Sequence, residues 1–257
     1  MFRASRKVLA VGIILLATAA AVGDAGTQAA EPDFRAQIER IIREYLGENP
    51  EVVVEALRAF QDRQRQAERQ RQTQSLDARA DEMFSDPDAP VAGNVNGNVT
   101  IVEFFDYQCG YCKRVHPIVK NLVADDGNIR FIYKEFPILG PESVFAARAA
   151  LASRWQGKYG EFHDALMRSK GRLPEERVFS IAASVGLDPT VLRHDMETRR
   201  FELDVIIERN LDLAKALDIT GTPGFVVEDA VVQGAMDKDS FVNLVGSVRA
   251  NKIRKPQ

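Results

Sequence analysis

The chain has two cysteines, Cys109 and Cys112, which are separated by two residues in the stretch DYQCGYCKRVHP. The residues before them, TIVEFFDY, are β-branched and aromatic and predict a buried strand, whereas the residues after them predict a helix. The first turn of a helix carries unsatisfied N–H groups and partial positive charge, which stabilise a thiolate. We therefore predict that Cys109 is an exposed nucleophile of low pKa. Cys112, one turn further on, is placed to resolve the mixed disulfide.

Two other roles for the cysteine pair remain open at this point. A structural staple is a weak interpretation, because the loop that the pair would close is too short to constrain the unfolded chain. A zinc site needs about four ligands, and the three histidines, His116, His163 and His194, are scattered along the chain. Two thiolates suffice for a soft ion such as Cu(I). We expect no resident cofactor, we keep Cu(I) binding as an alternative, and we expect His116 to be a polar surface residue.

Glu103 is an acidic residue in the predicted strand, six positions before Cys109. If its side chain points inward, burial raises its pKa and suits it to accept the proton that Cys112 must lose. An outward-facing strand residue is the alternative. Arg130 and Lys134, in the next predicted strand, are candidate counter-ions for Glu103.

The first 30 residues have the layout of a secretory signal peptide. Basic residues precede an apolar run, Val8 to Val22, and small residues continue to Ala30. We expect export to the periplasm, where disulfides are chemically permitted. Cleavage would remove three basic residues and Asp24, which takes the net charge from −3 to −5. A mildly acidic protein gives no reason to predict a nucleic-acid partner.

Two segments of different composition follow the signal peptide. Residues 31–60 place apolar side chains at helical spacing, with a break near Gly47 and Pro50. This segment is too small to bury those side chains alone, so it must pack on the main domain or on copies of itself. Residues 61–90 begin with a polar stretch, rich in Gln and Arg, that predicts a solvated helix or a flexible linker.

Residues 91–257 predict an α/β domain. A second strand, IRFIYKEF, follows the helix that contains Cys112, and the resulting βαβ unit implies parallel strands. Residues 138–219 have only helical spacing, and we predict no strand there. Beyond them we expect a hairpin and a closing helix. The fold class is therefore α/β, in the order βαβ…ββα, with an inserted helical subdomain. On sequence alone, the Thr222-Pro223 bond is expected to be trans.

The chain resembles the thioredoxin superfamily, and within it the exported DsbA-like branch, over residues 99–257. FFDYQCGYCKRVHP matches the strand-to-helix active site of that family. The resemblance implies a thioredoxin fold with a DsbA-type helical insertion, a buried acid at Glu103, and a cis-proline loop at Thr222 and Pro223 that pairs with substrate peptide. Between the cysteines, Gly110 and Tyr111 would set the redox poise and contact substrate.

The segment IIREYLGENPEVVVEAL looks like the N-terminal segment of ScsC-type proteins, relatives of DsbA that are linked to copper tolerance, some of which use it to trimerise. The Cys-Gly-Tyr-Cys site is similar to that of the disulfide isomerase DsbC, which also carries Thr before its cis-proline. These resemblances imply an isomerase for misfolded, disulfide-containing exported proteins, assembled as a homotrimer and kept reduced by a membrane redox partner. A monomeric DsbA-like oxidase and a copper-binding protein are the alternatives.

Overall fold

The computed structural model describes residues 30–254. The predicted signal peptide lies outside the described residues, apart from Ala30. The chain divides into two compact units, the first ending at Asp62 and the second beginning at Arg63. Helix α2, Glu51–Ala78, contributes residues to both units.

The first unit consists of helix α1, Ala30–Glu48, and the first part of α2, with Pro50 in the break between them. No side chain between residues 34 and 62 is buried. The apolar side chains predicted from the helical spacing are 42–66% exposed, namely Phe34, Ile38, Ile41, Ile42, Tyr45, Val53, Val54, Leu57 and Phe60. The two predicted helices are present, and the chain by itself leaves their apolar positions in contact with solvent.

The polar stretch after residue 60 is helical as far as Ala78, so the structure takes the helical alternative there. Its single large apolar residue, Leu76, is buried in the second unit. The Gln72 side-chain amide donates a hydrogen bond to the carbonyl oxygen of Leu217 at 3.3 Å. A short helix follows, α3, Ala80–Phe84, and buries Met83. The end of α2 is therefore part of the core of the second unit.

A five-stranded sheet organises the second unit, in the order β1-β3-β2-β4-β5. The strands are β1 Val91–Gly93, β2 Val99–Phe105, β3 Ile129–Glu135, β4 Gly224–Val227 and β5 Ala230–Gln233. β2 and β3 are parallel, as the βαβ pattern predicts, and the other pairs are antiparallel. β1 was not predicted, because three residues beside a Gly- and Asn-rich stretch are too few to show a strand pattern.

Successive residues of β2 alternate between the two faces of the sheet. Val99 and Ile101 pack with helix α4, Gly110–Asp126, and helix α10, Lys238–Arg254. Val102 and Phe104 pack on the opposite face with Leu76 and Leu213. This alternation places Glu103 on the face that α4 covers.

Between β3 and β4 lies the predicted helical insertion, which forms its own hydrophobic cluster against the start of α4. It contains no strand, as predicted. Its helices are α5 Pro141–Ala152, α6 Tyr159–Arg168, α7 Glu175–Ser184, α8 Pro189–Thr198 and α9 Arg200–Ala216. Within residues 30–254, no helix combines the length and the apolarity that a membrane crossing requires.

Candidate active site

Cys109 is the N-cap residue of α4, and both cysteines are free thiols. The backbone N–H of Cys112 donates a hydrogen bond to the sulfur of Cys109 at 3.3 Å, and that sulfur lies 3.2 Å from the carbonyl oxygen of Thr222. A hydrogen bond from the thiol of Cys112 is the largest cause that lowers the pKa of Cys109, to about 5. The Thr222 side chain and the N–H groups of Cys112 and Tyr111 add to the lowering, whereas desolvation opposes it.

The second cysteine has the opposite electrostatic environment. Cys112 is fully buried, and its desolvation raises its pKa well above the ordinary value. Its hydrogen bond to Cys109 and the charge of Glu103 raise the pKa further. One sulfur is therefore ionised at neutral pH while the other holds its proton, as the attacking and resolving roles require.

The prediction that Cys109 is exposed is wrong for this dithiol form, in which Cys109 is only 6% exposed. The sulfur is covered because the loop before β4 brings the Thr222 carbonyl against it. The neighbouring residues Gly110 and Tyr111 are exposed, and Tyr111 is 58% accessible. The surface beside the covered sulfur is therefore formed by this pair of residues.

The loop before β4 contains a cis peptide bond between Thr222 and Pro223. The resemblance predicted this isomer, whereas the base rate for X-Pro bonds alone favoured trans. The antiparallel pairing of Gly224 with Phe104 of β2 brings the loop to the end of the sheet where α4 begins. This pairing explains how residues 113 positions apart in sequence come into contact at Cys109.

Glu103 points inward and is 2% exposed, as the inward alternative predicted. Its desolvation, followed by the negative charge of Cys109, raises its pKa to about 8. Its Oε1 atom has no hydrogen-bond partner within the described residues. A carboxyl group with a pKa near neutrality, close enough to Cys112 to raise that thiol's pKa, is suited to take up and release a proton.

The two predicted counter-ions of Glu103 are wrong. Lys134 lies 2.6 Å from Asp86, and Arg130 donates a hydrogen bond to the carbonyl oxygen of Phe84 at 2.7 Å. Glu103 pairs with Tyr133 in the sheet register, so the residue after Tyr133 points to the opposite face. Strand alternation therefore separates both cations from Glu103.

Asp106 is a site residue that the sequence analysis missed. It is buried and accepts hydrogen bonds from the N–H of Gln108 at 2.7 Å, the N–H of Leu139 at 2.9 Å and the hydroxyl of Ser143 at 2.7 Å. These bonds fix the turn between β2 and α4 and connect it to the helical insertion. An aspartate that bonds the N–H two residues later is an Asx turn, and the sequence D-x-Q-C could have indicated it.

Two of the three histidines lie beside the site. His116 is buried, so the prediction that it is a surface residue is wrong. It is covered because α6 packs against α4 at this point. Its Nε2 atom lies 2.8 Å from Asp164. His163 is also buried, with Nδ1 2.9 Å from the hydroxyl of Tyr107. Helical spacing places His163 on the inner face of α6, but no sequence signal identified its partner.

The arrangement of these side chains bears on Cu(I) binding, the alternative role of the cysteine pair. In the part of the chain that the structure describes, no three His, Cys, Asp or Glu side chains are grouped so that they could hold a metal ion. The two sulfurs remain as donors, and the raised pKa of Cys112 opposes the second thiolate that a two-sulfur site requires.

Comparison with known proteins agrees with this geometry. Residues 100–246 match the DSBA-like thioredoxin domain family. This chain belongs to that family. Residues 35–67 match a second family, the N-terminal domain of the copper resistance protein ScsC. The predicted DsbA-like thioredoxin fold and the predicted ScsC-type N-terminal segment are therefore confirmed, and the chain is assigned to a family of thiol-disulfide oxidoreductases.

Several solved structures are similar to this one. A thioredoxin-like oxidoreductase from Silicibacter pomeroyi is 49% identical, covers 66% of this chain and 97% of its own, and has a TM-score of 0.64. The thiol-disulfide exchange protein alpha-DsbA2 from Wolbachia pipientis is 30% identical over 71% of this chain and 98% of its own, with a TM-score of 0.67. BcfH of Salmonella enterica Typhimurium is also 30% identical, over 85% and 97% respectively, with a TM-score of 0.69.

Curated relatives include much longer proteins. The Na(+)/H(+) antiporter NhaA 1 of Salinispora arenicola is 31% identical over 175 residues, which are 67% of this chain and 26% of the antiporter. The chain thus spans about a quarter of the length of such relatives.

Proposed function

We propose that this protein is a periplasmic thiol-disulfide oxidoreductase that acts mainly as an isomerase or reductase on exported proteins. The observation that carries the proposal is the unequal state of its two sulfurs. Cys109 has its pKa lowered to about 5 at the start of α4, whereas burial raises the pKa of Cys112. The names of the matched relatives, among them a thiol-disulfide exchange protein, support the same reaction class.

The chemistry follows from these two states. The Cys109 thiolate attacks one sulfur of a substrate disulfide, forms a mixed disulfide and releases the other substrate sulfur as a thiolate. In isomerisation, a substrate thiolate attacks the mixed disulfide, forms a new substrate disulfide and returns Cys109 as a thiolate.

A second route completes reduction when the mixed disulfide persists. In the mixed disulfide Cys109 no longer carries the negative charge that helps to raise the pKa of Glu103, so the carboxyl group ionises more readily than in the dithiol form. The Glu103 carboxylate then takes the proton of Cys112, whose sulfur attacks the sulfur of Cys109. The Cys109–Cys112 disulfide closes, and the second substrate sulfur leaves as a thiolate; both substrate thiolates then take protons from solvent. A membrane redox partner then supplies two electrons, with protons from solvent, to restore the enzyme dithiol. Gly110, Tyr111, Thr222 and Pro223 would contact the substrate around the reacting sulfur.

The direction of electron flow depends on how strongly the thiolate is stabilised, because a stable thiolate makes the disulfide a better oxidant. The pKa of Cys109, about 5, lies between those of thioredoxin, about 7, and DsbA, about 3.5. We therefore expect a reduction potential between about −270 mV and about −120 mV, which suits an isomerase. The same lowered pKa also favours a DsbA-like oxidase, which is the second candidate function.

Assembly is the other part of the proposal. Nine large apolar side chains of residues 34–60 are exposed in the single chain, and this segment overlaps the match to the ScsC N-terminal domain. Burying them between copies would remove apolar surface from water. We propose a homotrimer, in which several sites act on one misfolded substrate at raised effective concentration.

The deciding experiment is the recovery of activity from scrambled ribonuclease by full-length protein, the Cys109→Ser variant and a variant that lacks residues 31–62. An isomerase restores activity only with Cys109, and restores it more slowly without the N-terminal unit. An oxidase instead forms disulfides in reduced ribonuclease and fails to repair the scrambled form. Stoichiometric Cu(I) binding without turnover on either substrate would favour the copper-binding alternative.

A further inference from the structure

Several cationic side chains lie beside the end of α4 that carries the cysteines. Two of them directly follow Cys112 in α4, and the others belong to the segment between α6 and α7 and to the first turn of α7. All are exposed except the first, which is half-buried. We refer to this set as the basic rim: Lys113, Arg114, Lys170, Arg172 and Arg177.

Hydrogen bonds hold the segment after α6 against the start of α4. The ammonium group of Lys113 donates to the carbonyl oxygen of Ser169 at 2.8 Å and lies 3.3 Å from the hydroxyl of the same residue. Arg177 donates to the carbonyl oxygen of Arg172 at 3.4 Å. The pKa of Lys113 is lowered by desolvation and then by the positive charge of Arg177, so these two cations lie near one another. The basic rim is therefore one continuous surface.

Both parts of the basic rim reach residues that adjoin the nucleophile. The guanidinium group of Arg114 lies 4.7 Å from the centre of the Tyr111 ring. Gln108, the residue before the nucleophile, donates a hydrogen bond from its side-chain amide to Glu142 at 2.7 Å, and Arg172 lies 2.7 Å from the same carboxylate. A substrate that reaches the sulfur therefore enters the electrostatic field of these cations, which extends about 10 Å at 0.1 M salt.

The acidic side chains of this region offset only part of the positive charge. Glu142 pairs with Arg172, and Glu176 precedes Arg177 in the first turn of α7. Lys170 is exposed and forms no hydrogen bond or ion pair with other residues in the range 30–254. The whole chain has a net charge of −3, so a local excess of cations beside the reacting sulfur is opposite in sign to the charge of the protein.

We propose that the basic rim selects substrates whose disulfides are flanked by acidic side chains. The inference rests on the proposed function and specifies its substrate class. A thiolate repels an anionic disulfide, because both reactants are negatively charged. The cations beside Cys109 offset this repulsion and so raise the rate at which an acidic substrate approaches. The reaction is still the attack of the thiolate on one substrate sulfur, with release of the other as a thiolate.

The test uses three small disulfides that differ in charge. Oxidised glutathione is negatively charged at pH 7, hydroxyethyl disulfide is neutral and cystamine is positively charged. Reduced full-length protein is mixed with each at low ionic strength and quenched with acid, and the rate at which Cys109 is consumed is followed by intact mass. Lys170→Glu and Arg114→Glu are compared with the parent protein.

Lys238→Glu is the matched control, because it reverses an exposed cation far from the site. Lys238 pairs with Asp125, which is near the opposite end of α4. That position is roughly 24 Å from Cys109 at about 1.5 Å per residue.

Lys170→Glu should slow the reaction with oxidised glutathione about threefold and accelerate the reaction with cystamine about threefold. This is the effect expected when one charge is reversed about 10 Å from a singly charged group in water. The rate with hydroxyethyl disulfide should not change, which shows that the nucleophile is intact. Arg114→Glu should have the same pattern, and Lys238→Glu should match the parent. In about 1 M salt the differences should disappear.

Equal changes with all three disulfides, or none, in both Lys170→Glu and Arg114→Glu would overturn the proposal. Failure of the proposed function would look different, since the parent protein would then form no mixed disulfide with any of the three. A parent that reacts with all three disulfides and variants without charge selectivity contradict only the role of the basic rim.

Discussion

At the scale of single residues, two acidic groups act on the Cys112 thiol and have opposite pKa shifts: the thiol of Cys109 and the carboxyl group of Glu103. Hydrogen bonds to Cys109 lower its pKa to about 5, whereas desolvation raises the pKa of Glu103 to about 8. Cys109 is therefore ionised at neutral pH, whereas the carboxyl group of Glu103 is mostly protonated there. A buried carboxyl group of this kind reduces stability, and that cost can be measured.

Replacing Glu103 with Gln should stabilise the reduced protein in a pH-dependent way. The pKa of this carboxyl group is raised in the folded state, so folding binds a proton and the stability it costs grows as pH rises from about 4.5 to about 8. Glu103→Gln should therefore add about 3 kcal/mol to the free energy of unfolding at pH 7 and almost nothing at pH 4. Urea unfolding with reductant at both pH values measures the difference.

Glu161→Gln, on the exposed face of α6, serves as the control and should change the free energy by less than about 0.5 kcal/mol. An equal gain at pH 4 and pH 7 for Glu103→Gln would mean that the carboxyl group does not titrate as described.

The sequence predicted most of these residues because the thiol chemistry depends on local features. A Cys-x-x-Cys pair at a strand-to-helix junction is contiguous, so Cys109 and Cys112 could be assigned without a structure. The neighbours that tune them are distant in sequence. His163 and Thr222 reach the site only through the packing of α6 and the pairing of β4, which no local pattern specifies.

At the scale of elements, a buried ion cluster holds the segment between α3 and β1 against the sheet. Lys134 of β3 lies 2.6 Å from Asp86 and donates to the carbonyl oxygen of Glu82 at 2.9 Å. Arg209 of α9 lies 2.7 Å from the other oxygen of Asp86. Because Lys134 and Asp86 are both shielded from water, the loss of one partner leaves a buried charge.

Lys134→Met should destabilise the second unit by about 3 kcal/mol, measured as the free energy of unfolding in urea. The matched control is Lys238→Met, which breaks an exposed pair with Asp125 at 3.4 Å and should cost less than about 0.5 kcal/mol. Similar losses in the free energy of unfolding for the two variants would show that the buried pair stabilises the fold no more than the exposed pair.

The bounds of helices and strands could be predicted where apolar side chains recur at regular spacing, and could not where that spacing is interrupted. The strands β2 and β3 and the hairpin β4–β5 follow runs of branched side chains, so their existence was evident. The extent of α2 could not be predicted, because its polar stretch contains Leu76 as the single large apolar residue. The packing of Leu76 depends on α9 and the sheet.

At the scale of the whole molecule, the first unit is the part that we propose joins copies of the chain. Its exposed apolar side chains do not contribute to a core within residues 34–62. Removal of residues 31–62 should therefore convert the proposed oligomer to a monomer and leave the second unit folded. Light scattering after gel filtration and a thermal melt measure both outcomes.

The deletion must end before the buried part of α2. A variant lacking residues 31–82 also loses Leu76 and should melt at a lower temperature than one lacking residues 31–62. A full-length protein that elutes as a monomer, or a shorter variant that remains oligomeric, would contradict the role given to the first unit.

The central claim is that the start of α4 keeps Cys109 ionised. Its direct test is the rate of alkylation by iodoacetamide as a function of pH, followed by intact mass, with Cys109→Ser as the control for reaction at Cys112. We expect one modification with a midpoint near pH 5 and none in Cys109→Ser under native conditions. A midpoint above about pH 8, the range of an unperturbed thiol, would contradict it.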